Sequence, residues 1–334
     1  MDKHLKFPVY IYLFFFLLFI PGILHSQVIP VKNIPFHSED YKVVSAHLSY
    51  DGKHFVFIAQ NEDGNKLLEC THNAGGQWSS PVSVNAVNEF DSIDFTIESP
   101  AYNHDASVIY FSLKYDRKDA SADIWSTSKK NGEWTKPELF STSVNSDIEE
   151  SDPFISADGK YFYFARKFED SEMKKFDCYQ IFVSEFKDGS WQSPVLLPEP
   201  LNDGCDRSPR ISPDGKTLYF SSVRDDGKTG FDLYYAKKIT KNAWMSPVLI
   251  DTVNNTMTEY FPSPAHPGDR LYYLRSSGAG KKDSTHLVYA NLDIQFQSEK
   301  SVRLYGTVKD LNSGHPLLAQ IHVTDPNTSI IQSV

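Results

Sequence analysis

The chain lacks most of the signatures by which a sequence announces chemistry. No G-x-S-x-G nucleophile elbow occurs, no H-E-x-x-H pair and no glycine-rich phosphate loop. The common serine-hydrolase, zinc-peptidase and nucleotide-binding patterns are thereby set aside. The histidines, among them His47, His54, His72, His104, His266 and His286, are scattered without a metal-ligand pairing. Cysteine is scarce: the three present, Cys70, Cys178 and Cys205, have no metal-ligand spacing. An odd number in an exported chain leaves at least one unpaired. Cys178 and Cys205 share one stretch and are the candidate pair, while Cys70 lies in a strand-like run and reads as a buried thiol. Basic charge is in deficit, 33 Lys and Arg against 43 Asp and Glu, for a net charge of −10. A general nucleic-acid binder shows the opposite balance. Helical periodicity is hard to find after the first residues. The main apolar run, Val9–Ile20, is shorter than the roughly 20 residues of a comfortable membrane span.

What the chain does have is a repeat. ISPDGKTLYFSS, from Ile211, reads as strand, tight turn and strand, because Gly tolerates the positive φ that such a turn needs. Related stretches begin at Leu48, Tyr102, Ile155 and, more weakly, Ala265. Their turn acids, Asp51, Asp105, Asp158, Asp214 and Asp269, stand 54, 53, 56 and 55 residues apart. Four units also carry a Trp in phase (Trp78, Trp134, Trp191, Trp244), each closely followed by Pro (Pro81, Pro137, Pro194, Pro247). A third strand lies between hairpin and Trp, and a short apolar run after the Pro reads as a fourth. Four strands per unit of this length describe a β-propeller blade. The Trp and Pro residues are expected to pack and punctuate the outer part of each blade.

The expected fold class is all-β: a five-bladed propeller of four-stranded blades, with six blades as the alternative, followed by a β-sandwich segment. Residues 1–26 read as a signal peptide, with Lys3 and Lys6 before the apolar run, Pro21-Gly22 after it and cleavage near Ser26. Residues 27–300 form the propeller. Val28–Lys42 has no hairpin of its own and the last unit lacks a fourth strand, so the first segment is expected to close the ring by main-chain pairing and so remove an exposed edge. Residues 301–334 change character and read as strand, turn and strand of an incomplete β-sandwich.

SPDGKTLYFSS, the DIW, DCY and DLY strand openings and the trailing W-x-x-P resemble the Pro-Asp type of WD-like propeller repeat. That repeat occurs in TolB-like proteins and at the N-terminus of OmpA-family outer-membrane proteins of Bacteroidetes. The likeness runs roughly from Tyr41 to Leu292, and the segment from Val302 is similar to the start of a carboxypeptidase regulatory-like domain. The resemblance implies an exported protein of the periplasm or the periplasmic face of the outer membrane, with a cell-envelope protein or glycan as partner. It fixes the fold far better than the function, since propellers host many activities.

Two groups of residues are candidate contacts. Acids near the inner strand of successive units, Glu98, Glu150, Asp206 and Glu259, either ring one mouth of the axial channel or serve as turn caps and salt-link partners. A basic set, Lys114, Arg166, Arg224 and Arg275, follows the second strands, which favours the salt links. The second group lies in the long charged loops Tyr115–Ala122 and Phe168–Phe176, with Asp116, Arg117, Glu169 and Lys174 foremost, since loops on a rigid scaffold commonly carry binding sites. No catalytic set, cofactor or metal is expected, nor any span in the mature chain. The leading expectation is a non-catalytic interaction scaffold. A glycan-active enzyme or carbohydrate-binding module using the mouth acids is the alternative.

Overall fold

The computed structural model describes residues 28–30, 40–73, 75, 77–168, 178–224, 230–254, 257–265, 268–276, 285–299, 309–310, 313–315, 322–324 and 331–333. They form a five-bladed β-propeller. The inner strands are Lys42–Leu48, Phe95–Tyr102, Glu150–Ile155, Cys205–Ile211 and Thr258–Ala265. They touch one another in sequence, the last against the first. Each is followed by an antiparallel second strand (His54–Asn61, Val108–Tyr115, Tyr161–Lys167, Thr217–Val223, Arg270–Ser276) and third strand (Gly64–Thr71, Asp123–Lys130, Tyr179–Lys187, Asp232–Thr240, Thr285–Asn291).

The repeated turn has a side-chain logic. In three blades a Ser two residues before the turn acid donates to that acid: Ser49 to Asp51 and Ser156 to Asp158, each at 2.6 Å, and Ser212 to Asp214. The same Ser oxygen accepts the backbone N–H that opens the second strand, from His54, Tyr161 and Thr217, each at 2.9 Å. The acid in turn accepts the N–H of Lys53, Lys160 or Lys216. Gly52, Gly159 and Gly215 supply the left-handed φ between them.

The outer part of each blade is more elaborate than four plain strands. The Trp residues of blades 2 to 4 lie in two-residue strands (Glu133–Trp134, Ser190–Trp191, Ala243–Trp244) that fold back on the far half of the third strand. The fourth strand, Glu138–Leu139, Val195–Leu196 or Val248–Leu249, pairs with its near half. The Trp side chains pack in the outer part of the blades as expected, and Trp134 and Trp191 also reach a neighbouring blade. Trp134 stacks on Tyr102 at 6.4 Å and donates from Nε1 to Glu69 of blade 1 at 2.9 Å, and Trp191 meets Phe140 at 5.4 Å.

Four asparagines clasp the third strands. Asn88, Asn145, Asn202 and Asn254 each accept the N–H and donate to the C=O of one residue, Leu67, Ile124, Ile181 and Leu233 respectively. The amide thereby acts as one more rung of the ladder after the fourth strand ends. The clasped residues are fully buried and their carbonyls also accept a backbone N–H, so it is their own N–H that the asparagine saves from a desolvation penalty of about 1–3 kcal/mol.

The ring closes as the sequence suggests. Val28–Pro30 pairs antiparallel with Thr285–Asn291, Val28 opposite Ala290, and becomes the outermost strand of blade 5. This excludes the six-bladed alternative for the described residues. Cys178 and Cys205 form a disulfide that ties the start of the third strand of blade 3 to the inner strand of blade 4. Cys70 is a buried thiol, pushed up to about 12 by burial, and so is inert. The signal-peptide segment and the loop with Glu169 and Lys174 lie outside the described residues. So does most of the expected sandwich, where His322–Thr324 with Ile331–Ser333 is the one described strand pair.

Candidate functional site: an axis open at one end

Every inner strand is interrupted by a bulge. In blades 2 to 5 the bulged residue, Ser99, Asp152, Ser208 or Phe261, has φ of 53–54° and precedes a proline. A non-glycine residue held there costs about 1–2 kcal/mol. The bulge re-aims the side chains around it, and the axis is furnished in tiers by position relative to it.

One residue before the bulge stand Glu98, Ser151, Arg207 and Tyr260. Here the axis is open. Two recesses of about 410 Å³ each share Glu98 and Arg207 as wall residues. One extends toward Tyr260, Phe231 and Gln60. The other extends toward Lys114, Glu149, Lys167 and Tyr179. At the bulge itself Asp152 is fully buried and accepts from Arg207 Nε at 2.8 Å and Nη2 at 3.3 Å, and from the Ser208 N–H at 2.9 Å. The Arg207 guanidinium holds Asp152 down to about 2 against the effect of burial. Glu149 accepts from the Tyr179 hydroxyl and lies 3.5 Å from Lys114. The exposed Glu98 has a raised pKa, since desolvation in the recess outweighs the pull of Arg207. Two residues past the bulge stand Ala101, Phe154, Arg210 and Ser263, and with His47 of blade 1 they close the other end.

Three of the four expected mouth acids are elsewhere. Glu150, Asp206 and Glu259 stand two residues before the bulge, are 0% exposed and point into their own blades. They pair with Arg166 (2.8 Å), Arg224 (3.0 Å) and Arg275 (2.9 Å). The same arginines donate to the carbonyls of Val144, Leu201 and Val253, beside the clasping asparagines. Burial pushes Glu150 and Glu259 up to about 7 and Asp206 up to about 6 despite these partners. The salt-link reading describes this set, and the links run within a blade. Lys114 is out of phase with the arginines: its partner, Glu149, belongs to the next blade.

Missed from the sequence were Arg207, Ser151 and Tyr260, the phase-mates of Glu98. Pro100, Pro153, Pro209 and Pro262 were the available signal, because a proline inside a strand marks a bulge or an edge. Asp116 and Arg117 are exposed in the loop between the second and third strands of blade 2. Arg117 lies 5.5 Å from the Tyr115 ring. That loop leaves from Lys114, so it rises at the open end. The two candidate groups, as far as they are described, share one end of the molecule.

The architecture is thus a β-propeller with one open, polar axial mouth and one sealed end. No protein-family profile and no curated protein sequence matches the chain. Solved structures do. The alpha-L-arabinofuranosidase PaAbf62A from Podospora anserina superposes with a TM-score of 0.53 at 12% identity, covering 80% of this chain and 97% of that one. A thermostable family-43 glycoside hydrolase gives 0.50 at 16% identity, with 76% and 89% covered. Putative TolB from Agrobacterium tumefaciens gives 0.48 at 15% identity, with 77% and 79% covered. At such identities the likeness is one of fold alone. A fold shared with glycoside hydrolases does not carry their activity to this chain, so function has to be argued from the site.

Proposed function

We propose that this chain is a non-catalytic binding propeller of the cell envelope that seats a glycan of its partner in the open axial mouth. The observation that carries this reading is the state of the mouth carboxylates. Glycoside cleavage generally employs two carboxyl groups in opposed roles across the scissile bond. Here Asp152 is sealed and matched by Arg207, and Glu149 is engaged by Tyr179 and Lys114. Among the described residues that line the two recesses, Glu98 is left as the exposed carboxyl beside Arg207. One carboxyl, one guanidinium and the rings of Tyr260 and Phe231 can hydrogen-bond and stack against a sugar without supplying an acid–base pair. Export is supported by the leader-like first residues and by the Cys178–Cys205 disulfide, which belongs to an oxidising compartment. The exposed Asp116–Arg117 loop would meet the rest of the partner, in keeping with the resemblance to envelope-anchored propellers.

The test is calorimetric titration of the chain with cell-envelope glycan fragments, with chromatography of the mixture afterwards. Binding that weakens about tenfold or more in Glu98→Gln, with no fragment shortened, supports the reading. Release of shortened glycan by the unaltered chain, lost in Glu98→Gln, would establish the enzyme instead. No binding of any fragment would reject the glycan-binding mouth.

A further inference from the structure

Three of the grooves between neighbouring blades, on the outer flank of the ring, are finished in three different ways. Between blades 1 and 2 the finish is ionic. Glu69, on the third strand of blade 1, accepts from Trp134 Nε1 at 2.9 Å and from the Tyr102 hydroxyl at 3.2 Å. Lys129 Nζ, which lies over the Trp134 ring, is 3.6 Å from the same carboxylate. Between blades 2 and 3 the finish is aromatic. Phe140 stacks on Phe162 at 4.1 Å and meets Trp191, and Phe186 rather than a lysine lies opposite that Trp.

Between blades 3 and 4 the donors of the first groove recur without its acid. Lys238 lies opposite Trp244 as Lys129 lies opposite Trp134. Each lysine donates its backbone N–H to the residue just before the second strand, Lys216 or Ser107, so the two positions are equivalent. The place of Glu69, between Val56 and Val82, falls in blade 3 to Val183, between Tyr163 and Val195. Leu197 stands where blade 2 has Phe140, each donating its N–H to the clasped residue of its own third strand. With neither the acid nor the aromatic ring to fill it, the groove stays open. Its volume is about 480 Å³, and its walls include Val183, Leu197, Tyr161, Tyr163, Lys238 and Trp244.

Lys238 is half-buried in this wall, with Nζ 5.4 Å from the centre of the Tyr161 ring and 5.3 Å from that of Trp244. Burial and the nearby Lys241 lower its pKa. No carboxylate among the described residues lies within ion-pair distance of it. Glu185, the acid of the same wall, is engaged by Lys241 at 3.3 Å and by the Tyr161 hydroxyl at 3.3 Å. Asp158 and Glu185 attract Lys238 only from farther away. Trp244 is 5% exposed, and its Nε1 donates to no carboxylate among the described residues. An ammonium and an indole N–H therefore converge on an apolar groove of ligand size, and a carboxylate is the acceptor that both would hold most strongly. The apolar walls call for a body as well as a charge, which sets inorganic anions aside.

We propose that the groove between blades 3 and 4 binds a small organic acid, its apolar or aromatic body along Val183, Leu197 and Tyr163 and its carboxylate between Lys238 Nζ and Trp244 Nε1, in the place that Glu69 takes in the first groove. This site is separate from the open mouth and does not depend on what binds there.

The test is calorimetric titration with octanoate, 3-phenylpropionate and indole-3-propionate, each beside its primary amide. The expected result is saturable binding of at least one acid with a Kd of about 1 mM or tighter, weakened about tenfold or more in its amide. Lys238→Met should weaken the acid by as much. Val183→Glu should abolish its binding, because that substitution supplies the internal acid of the first groove. Thermal unfolding checks that both variants are folded. No saturation by any of the three acids at about 10 mM overturns the proposal. So does equal binding of acid and amide, or acid binding that keeps its strength in Lys238→Met or in Val183→Glu. If a variant does not fold, the comparison of acid with amide on the unaltered chain decides.

Discussion

Glu98 and Glu150 occupy almost the same place in adjacent blades, yet one is exposed on the axis and the other is sealed inside its sheet. Counted from the left-handed residue of the bulge, Glu98 is one position before it and Glu150 two. Side chains alternate faces along a strand, so a shift of one residue exchanges interior for exterior. The register shows what blade 2 does at the interior position: Ile97 stands opposite Leu113, where blade 3 has Glu150 opposite Arg166. Both pairs are accommodated in the same architecture. One is apolar and the other ionic. The ionic version therefore serves the interior of a blade, and the mouth takes its character from the next residue along.

The sharpest way to break this comparison is to remove half of the ionic pair. Arg166→Ala should leave Glu150 buried without its partner, free the Val144 carbonyl and cost about 3–5 kcal/mol, read as a large drop in the denaturation midpoint. Next in size is the effect of pH on the unaltered chain. Glu150, Glu259 and Asp206 have folded-state values raised to about 7, 7 and 6. The folded state thus holds more protons than the unfolded one above the ordinary carboxyl range. Their contribution is complete below about 4 and is lost as pH rises through 6 to 7. Asp152, lowered to about 2, acts oppositely, and its contribution is lost as pH falls from 3.8 through 2. Tm should be highest near pH 4–5 and fall toward pH 8; a Tm that climbs steadily from pH 5 to 8 would refute the assigned directions.

Importing the blade 2 solution into blade 3 should have a smaller effect. Glu150→Ile with Arg166→Leu is expected to lie within about 1 kcal/mol of the unaltered chain, since a buried ion pair is often replaceable by well-packed apolar residues. It should also flatten the decline of Tm between pH 5 and 8. The smallest effect belongs to the mouth. Glu98→Gln should change stability by less than about 0.5 kcal/mol, while carrying the loss of glycan binding expected above. A large loss of stability from that substitution would mean that the axial carboxyl is structural after all.

The parts of the fold that were legible were those written in local turn chemistry. The Asp-Gly pairs fixed hairpins, their period fixed the blades, and the missing fourth strand of the last unit fixed the closure by Val28–Pro30. The Trp and Pro markers located the outer strands, though not the short strands in which Trp134, Trp191 and Trp244 lie. The mouth was less legible because charge was aligned without the bulge. Glu98 was grouped with Glu150, Asp206 and Glu259, and Lys114 with the arginines, each one residue out of step. Prolines 100, 153, 209 and 262 carried the missing register. The clasps made by Asn88, Asn145, Asn202 and Asn254 also recur in phase, but a neutral amide carries no signal of charge or hydropathy. Their role appears only once the third strand lies beside them.

The pairing of Val28 with Ala290 bears on the order in which the molecule can be completed. A growing chain presents the outer strand of blade 5 first and the strands it joins last. Blades 1 to 4 are each made of contiguous chain and can form as synthesis proceeds, whereas blade 5 waits for both ends to be present. Until then the ring has two unpaired edges, and partial molecules expose strands ready to pair with one another. The closing strand is thus also a checkpoint: only a chain carried through to blade 5 can retire its own first strand.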